Sequence, residues 1–429
     1  MKILHINTHD RGGAANACLR LHEGLLNFGV DSKVLVLQKT NSNFSEVYAH
    51  EQFLKKTLPA RLRRRLQRIL KECGLYRGQN FRMERDTLQK LRPKGLEMIS
   101  FPKSESDVTD NKFFREADII HLHWVAGFLD YKTFFTKCQK SVIWTFHDQN
   151  PFLGVEHYAE RLLGPDDSGQ PIPRRFNNNK ELKIEERFKQ QKRNLFKNTS
   201  LNIVALCNWM KNEIIDSQMF PLAKMNIIPN GIDSKQYKIL NKTFCRELLN
   251  LPIEKKILLF ASDSISKNRK GLNYLLKAHE EIQGIDLVIC GIGGDKTNSH
   301  NKNFIELGMI HDQQLMNAAY SAADLFVIPS LMDNLPNTVI ESLLSGTPVV
   351  SFPVGGMLDM IQHKKNGCIA NEISVKALAN SIVDFFEIGV ELSTEEIRKD
   401  AIERYDVSVQ LDNILQLYKD TNAVKNHYE

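Results

Sequence analysis

Residues 328-IPSLMDNLPNTVIESLLSGTPVV-350 read as the end of a strand, a loop, a short helix and the start of another strand. The first strand, 324-DLFVIPS-330, ends at Ser330, and the loop after it carries Asp333. The spacing predicts a helix over 335–345, because Asn334 is a good N-cap and Pro336 is tolerated in a first turn. Val339, Ile340, Leu343 and Leu344 form its apolar stripe, Gly346 ends it, and Pro348 prevents its continuation. The next strand is 348-PVVSFPV-354. Strand, helix and strand in this order make a βαβ unit, which requires a parallel sheet and a right-handed crossover.

The same rhythm extends toward the start of the chain. A strand at 256-KILLFASD-263, a helix through 271-GLNYLLKAHEEI-282 and a strand at 286-DLVICGIG-293 precede it. A separate series begins at 2-KILHI-6 with a Gly turn and the helix 14-AANACLRLHEGLLNFG-29. There Ala17, Leu21, Leu25 and Phe28 recur at helical spacing, and Gly29 supplies the stop. Strands follow at 33-KVLVLQ-38, 118-DIIHLHW-124, 141-SVIWTFHD-148 and 201-LNIVALCN-208. A chain of 429 residues exceeds one ordinary core. Two α/β series joined through the turn-forming 227-IIPNGID-233 therefore predict two Rossmann-like domains. The polar stretch 155–195 reads as a mobile insertion before a helix, and residues 77–115 carry no clear period.

Composition narrows the function classes. Hydrophobic residues make up 42% and charged residues 25%, the balance of a globular protein. Asp10 and Arg11 interrupt the N-terminus before a signal-peptide core could form, which points to a cytoplasmic location. No stretch approaches the ~18 apolar residues of a membrane span. Seven scattered cysteines without a Cys-x-x-Cys pair fit reduced thiols. His121 and His123 alternate on one strand, but cysteine and acidic partners at zinc-ligand spacing are absent. The net charge of +6 comes without interleaved aromatics or a nucleic-acid motif, so no nucleic-acid partner is expected.

The chemistry concentrates at predicted strand ends. The N–H groups and positive dipole end of the helix after Asp333 form an anion site that a diphosphate fits without a metal. Asp333 and Glu341 are eight residues apart and can accept hydrogen bonds from sugar or ribose hydroxyls, although such acids are more often a cap and a solvated surface group. Gly12 and Gly13 follow the first strand and allow close backbone approach to a ligand. The turn is not Gly-x-Gly-x-x-Gly, and no acid ends the second strand, which counts against NAD. His147 closes a strand at 143-IWTFHD-148, a position favoured for ligand contact. Arg269 and Lys270 precede a helix, where two cations suit a diphosphate.

The arrangement Asp333, seven residues, Glu341, then Gly346-Thr-Pro-Val-Val resembles the signature of the family 4 retaining glycosyltransferases of the GT-B fold, especially bacterial members that build cell-surface polysaccharide. Further likeness lies in 229-PNGID-233, 258-LLFASDSISKNRKG-271, 12-GGAANACLRLHEGLLNFG-29, the Thr-x-His-Asp ending at Asp148, 291-GIGG-294 and 353-PVGG-356. The resemblance implies domains over 1–226 and 227–405, with a C-terminal helix in 406–429 returning to the first. Asp333 would hold donor-sugar hydroxyls, and Glu341 the ribose. Backbone amides over Asn334, Leu335, Pro336, Asn337 and Thr338 would hold the diphosphate. Lys270, with Arg269 in place of the family arginine missing at Ser262–Asp263, would contact phosphates that Gly12 and Gly13 approach across the cleft. His147 would lie near the sugar and leaving group. Asp333 stands where the family usually has Glu, one methylene shorter. No Asp-x-Asp metal motif occurs. Metal-independent transfer with retention is expected, from a UDP or GDP sugar to a glycan or lipid-linked acceptor, with no cofactor.

Residues 54-LKKTLPARLRRRLQRILKECGL-75 place Leu58, Leu62, Leu66, Ile69 and Leu70 on one stripe and basic residues elsewhere. That pattern fits a helix resting on an anionic membrane surface and fits ordinary core packing equally well. Two competitors stand beside the enzyme reading: a non-catalytic GT-B partner subunit, and a UDP-sugar 2-epimerase, which lacks this acid and Gly-Thr-Pro-Val-Val arrangement.

Overall fold

The computed structural model describes residues 1–41, 43–50, 81–176, 179–265, 267–294 and 303–426. The basic segment 54–75 lies outside the described residues. The strands are β1 (Lys2–Ile6), β2 (Asp31–Val36), β3 (Val47–Ala49), β4 (Ile119–Leu122), β5 (Ser141–Phe146), β6 (Leu162–Pro165), β7 (Pro171–Pro173), β8 (Asn202–Ala205), β9 (Lys224–Ile227), β10 (Lys256–Ala261), β11 (Leu287–Ile292), β12 (Phe304–Gly308), β13 (Leu325–Ile328), β14 (Val349–Ser351) and β15 (Gly367–Ile369). They form a seven-stranded sheet in the order β3-β2-β1-β4-β5-β8-β9 and a six-stranded sheet in the order β12-β11-β10-β13-β14-β15. Every pairing in both sheets is parallel, as the two strand–helix series require.

Helices cover the sheets on both faces, so the central strands are buried throughout. Ile257, Leu258, Leu259 and Phe260 of β10 are each at most 1% exposed. Burial of side chains of this size contributes about 1.5–3 kcal/mol each. The helix Gly13–Asn27 buries Ala17, Leu21 and Leu25 and stops at Gly29, whose φ of 74° only glycine adopts readily. Phe28, expected on the buried stripe, is exposed, because it falls in the turn that ends the helix.

The chain crosses between domains after β9, and Ile232 bridges to Asp406 at the second crossing. The helix Val407–Asn426 then packs against Gly13–Asn27 on the first sheet. A Cβ on Gly24 would stand 2.6 Å from Leu411, so the two helices are in close approach. Tyr418 Oη lies 2.6 Å from His121 Nδ1 of β4.

The described residues of 155–195 form a strand ribbon and a helix rather than an insertion without regular structure. β6 and β7 form an antiparallel ribbon, and its turn reaches the second domain, where Val375 N–H donates to Gly169 O at 2.9 Å. The helix Asn179–Phe196 follows, and buried Arg174 pairs with Glu156 and Glu181. Part of the sequence polarity here serves this buried ion network, and Asp166, Asp167, Lys180 and Lys183 among others face solvent.

Strand order reverses between β1 and β4 and again between β10 and β13. Loops at such switch points diverge and leave a crevice at the carboxyl ends of the strands. In this chain both crevices open onto the same space.

Candidate active site

The cleft between the sheets has a volume of about 420 Å³, within the ~300–1,000 Å³ typical of small-molecule sites. Gly12 and Gly13 line it from the loop after β1, Trp124 from that after β4, and His147 and Asp148 from that after β5. From the second domain come Ser262, Arg269 and Lys270 after β10 and the run Asp333–Thr338 after β13. Eleven of the twelve residues singled out in the sequence line one space; Glu341 does not.

Asp333 is buried where the loop turns into the helix. Lys270 Nζ donates to its Oδ2 at 2.8 Å, and Arg269 Nη1 lies 3.2 Å from the same oxygen. Burial alone would raise this carboxyl, but Lys270 and Arg269 outweigh it and hold Asp333 below its ordinary value. Two glycines fit the loop backbone closely. A Cβ on Gly355 would stand 1.9 Å from Asp333 O, and one on Gly356 1.7 Å from Asn334 O. The 353-PVGG-356 turn is thus a seat for the acid-bearing loop.

Arg269 is not the exposed half of a solvated Arg-Lys pair. It is 7% exposed, stacks 4.2 Å over the Tyr158 ring, and donates to Met332 O at 2.8 Å. Its Nη2 donates to Glu97 Oε1 at 2.8 Å. Glu97 comes from the first domain, where its N–H donates to Glu160 Oε2 at 2.9 Å and Arg92 donates to its carbonyl. Asn268 N–H donates to Gly95 O at 2.9 Å, so the cation loop is docked on that segment. Burial opposes ionisation of Glu97, yet Arg269 and Lys267 lower its carboxyl below the ordinary value. Arg269 therefore bridges two carboxylates across the cleft, while Lys270 is the more accessible cation.

The helix after Asp333 spans Asn337–Leu344, shorter at both ends than the expected 335–345. Pro336 occupies the N-cap position and no side chain caps the helix. Asn334 lies two residues too early to cap. Its Nδ2 crosses the cleft instead and donates to Phe146 O at 2.9 Å. Pro336 has no N–H, so the amide donors available at this mouth are those of Leu335, Asn337 and Thr338, and Asn334 N–H is turned to its neighbour's Asp333 Oδ1 at 3.2 Å. Asn337 Nδ2 reaches Gly13 O at 3.4 Å, which sets the helix mouth opposite the glycine loop. A Cβ on Gly12 or Gly13 would meet nothing within 4 Å, so backbone there borders open space.

Glu341 lies one turn further along this helix, half-buried and outside the residues that line the cavity. It accepts from Tyr320 Oη at 3.0 Å. Burial raises its carboxyl above the ordinary value, with Arg20 of the Gly13–Asn27 helix opposing from the other domain. Asp333 is thus among the residues that line the cavity, and Glu341 is not.

On the first-domain wall, Asp148 holds the scaffold. It accepts from Trp124 Nε1 at 2.7 Å and from Asn150 N–H at 2.9 Å, and it pairs with His157. His147 turns its Nε2 inward, 3.2 Å from His123 Nδ1. Behind it, His5, His121 and His123 bring ring nitrogens within 4.8 Å of one another. Their ring planes lie 29–35° apart, and His121 stacks on His123 at 4.3 Å. Five of their six ring nitrogens face a hydrogen-bond partner, His5 Nε2 being the exception, so the cluster is engaged in hydrogen bonds.

Sequence reading missed Glu97 and Tyr158. Glu97 falls in the unpatterned 77–115 stretch, and its partner is 172 residues away. No local signal marks it.

Comparison with known proteins agrees with this fold. Residues 90–236 match the family model described as Glycosyltransferase Family 4, and residues 255–387 the one described as Glycosyl transferases group 1. An uncharacterised glycosyltransferase of Methanocaldococcus jannaschii is 27% identical over 183 residues, 39% of this chain and 46% of that protein. The chain spans less than half the length of the curated relatives it matches. Among solved structures, sucrose-phosphate synthase from Thermosynechococcus elongatus superposes with a TM-score of 0.66 at 17% identity, covering 99% of this chain and 100% of the other. Anabaena HepE in complex with UDP-glucose gives 0.63 at 15% identity, covering 98% and 100%. At these identities the likeness to solved structures is one of fold.

Proposed function

The chain belongs to the family 4 type of GT-B glycosyltransferases, and from that premise we propose that it moves a hexose or related sugar from a UDP or GDP donor to a glycan or lipid-linked acceptor, with retention and without a metal. The observation that carries this reading is the meeting of Lys270, Asp333 and the Asn337–Leu344 helix mouth with Gly12, Gly13 and His147 across one cleft. A pyrophosphate at that mouth takes hydrogen bonds from the Leu335, Asn337 and Thr338 amides and from Lys270. As the sugar–oxygen bond breaks, negative charge grows on the diphosphate, where these fixed donors stabilise it. Arg269 contributes through its position beside Asp333. Asp333 accepts from a donor-sugar hydroxyl, and Glu341 is assigned the ribose, whose hydroxyl donates to a carboxylate lone pair that the Tyr320 hydroxyl does not occupy. The acceptor hydroxyl attacks on the face the diphosphate leaves, and its proton passes to a phosphate oxygen. No enzymic nucleophile is invoked.

Work on a cytoplasmic surface-polysaccharide acceptor follows from the family resemblance, and the basic segment 54–75 is assigned to an anionic lipid surface by its charge and apolar spacing. Co-sedimentation with phosphatidylglycerol vesicles tests that assignment, and no binding at low salt removes it. For the enzyme, melting temperature against a panel of nucleotide sugars identifies the donor. Slow release of UDP or GDP without acceptor, unchanged by EDTA, is the expected activity. A panel with no stabilising member and no release overturns the reading.

A further inference from the structure

We infer that His5 and His123 are positioning residues that fix His147 as a neutral hydrogen-bond donor, its proton held on Nδ1, the nitrogen turned away from His123. This rests on the placement of a nucleotide sugar in the cleft that His147 lines.

The geometry is a chain across three adjacent strands. His5 on β1, His123 just beyond β4 and His147 just beyond β5 step toward the carboxyl edge of the sheet. His5 Nδ1 lies 3.0 Å from His123 Nε2, and His123 Nδ1 lies 3.2 Å from His147 Nε2. His5 is 0% and His123 3% exposed. His121 stands beside them without joining, since its nitrogens face Tyr418 Oη at 2.6 Å and Thr145 Oγ1 at 2.8 Å.

A neutral imidazole has one donor and one acceptor nitrogen. Three in a row therefore allow two arrangements, with every proton pointing outward to the cleft or every proton pointing inward. The inner end decides between them. His5 Nε2 is buried and finds no hydrogen-bond partner among the described residues. An orphaned buried N–H is rarer in proteins than an orphaned acceptor. The outward arrangement leaves only a lone pair on His5 Nε2, whereas the inward one strands an N–H there. Outward order makes His5 donate to His123, His123 donate to His147 Nε2, and His147 carry its proton on Nδ1.

Neutrality follows from the surroundings. Burial lowers His147 to about 4, with neighbouring Asp148 opposing. His5 and His123 are likewise lowered, by burial and by the other histidines around them. The charged and titratable groups facing the chain are otherwise engaged: Asp148 with Trp124 and His157, and His22 with Ser32 and Ser45. The chain ends blindly at His5, so it passes no net proton. It sets an orientation. A neutral Nδ1–H suits an oxygen gaining negative charge in the donor, such as a leaving phosphate oxygen.

The test uses the full chain labelled with ¹⁵N-histidine and no ligand. Correlation spectra report which ring nitrogens carry protons, and comparison with His147→Gln identifies the His147 signals. The expected result is a proton on Nδ1, bare Nε2, and no change from about pH 6 to 8. A proton on Nε2, or an imidazolium, overturns the inference. Variants then separate orientation from packing, with nucleotide release from the donor that the melting panel identifies as the readout. His123→Phe should lower turnover about 100-fold, the effect of one well-placed donor, with little change in KM. His123→Asn, which presents an N–H where His123 Nδ1 stood, should restore most of it and keep the Nδ1 proton on His147. Equal losses in both variants mean a packing role only. If His123→Phe does not fold, the wild-type spectrum decides alone. Absence of turnover in the wild type counts against the transferase reading, while an Nε2 proton in an active enzyme counts against this inference alone.

Discussion

Lys270 Nζ sits 2.8 Å from Asp333 Oδ2, so the cation assigned to the donor phosphates is held by the acid assigned to the donor sugar. The pair joins the loops after β10 and β13, at the switch point of the second sheet. Lys270 also remains partly open to solvent, with 17% of its side chain exposed, and can turn to a phosphate without unfolding its loop.

Lys270→Ala should therefore weaken UDP or GDP binding with little effect on the fold. A hydrogen bond to a charged group contributes about 1.5–3 kcal/mol, which corresponds to a loss of about tenfold to a hundredfold in affinity. Arg269 still neutralises Asp333, so the loss of stability should be smaller than that on removing Arg269. Calorimetry with each nucleotide, paired with urea unfolding, measures both. Unchanged affinity rejects the phosphate role.

Arg269→Met should show the opposite balance. Its guanidinium lies between buried Asp333 and half-buried Glu97, and removing it leaves two carboxylates short of a partner. Breaking a buried pair from one side costs about 3–5 kcal/mol. Lys267 and Lys270 remain nearby, so the lower end of that range is expected in urea unfolding. A stable Arg269→Met protein that fails to bind nucleotide would assign Arg269 to the phosphates after all.

The contrast between these two cations marks the limit of what the sequence carries. Strands such as β10 and β11 were legible because parallel strands buried on both faces are unbroken apolar runs. Lys270 and Asp333 were legible because each lies at a strand end before a helix. The structural commitment of Arg269 was not, since it depends on Glu97 and Tyr158, which meet it only through the folded chain. His123 illustrates the same point. Its alternation with His121 is visible in the sequence, whereas its contacts with His5 and His147 come from the register of three strands. Phe28 failed for a local reason: a helical stripe extrapolated one residue past the last helical residue, Asn27, lands in solvent.

Glu341→Gln should make the protein more stable and less active. Burial raises the Glu341 carboxyl, so its charged form destabilises the folded state. A raised folded value means that the wild type is least affected below the ordinary carboxyl range and loses stability as pH rises through the folded value. The amide has no charge to bury, so the melting temperature of Glu341→Gln should exceed that of the wild type at pH 8. That gap should close as pH falls below about 4. If Glu341 meets the ribose, kcat/KM for donor hydrolysis should fall at least about tenfold, chiefly through KM. Near wild-type kinetics would remove it from the site.

Asp333→Asn tests the other acid through the reverse sign. Lys270 and Arg269 hold the Asp333 carboxyl below its ordinary value against burial. A depressed folded value contributes stability that is present above the unfolded value, near 3.9, and is lost as pH falls through the folded one. At pH 7 the variant should thus be less stable than the wild type, because Lys270 and Arg269 lose their shared anion. As pH drops below about 4 the wild type protonates and the two melting curves should converge. Donor-sugar contact makes a separate demand. Asp333→Glu keeps the charge and adds the reach usual in the family, so it should preserve nucleotide affinity, whereas Asp333→Asn should lower turnover about 100-fold or more. Melting curves that stay parallel from pH 7 to 3 would show that Asp333 is not the charged partner of these cations.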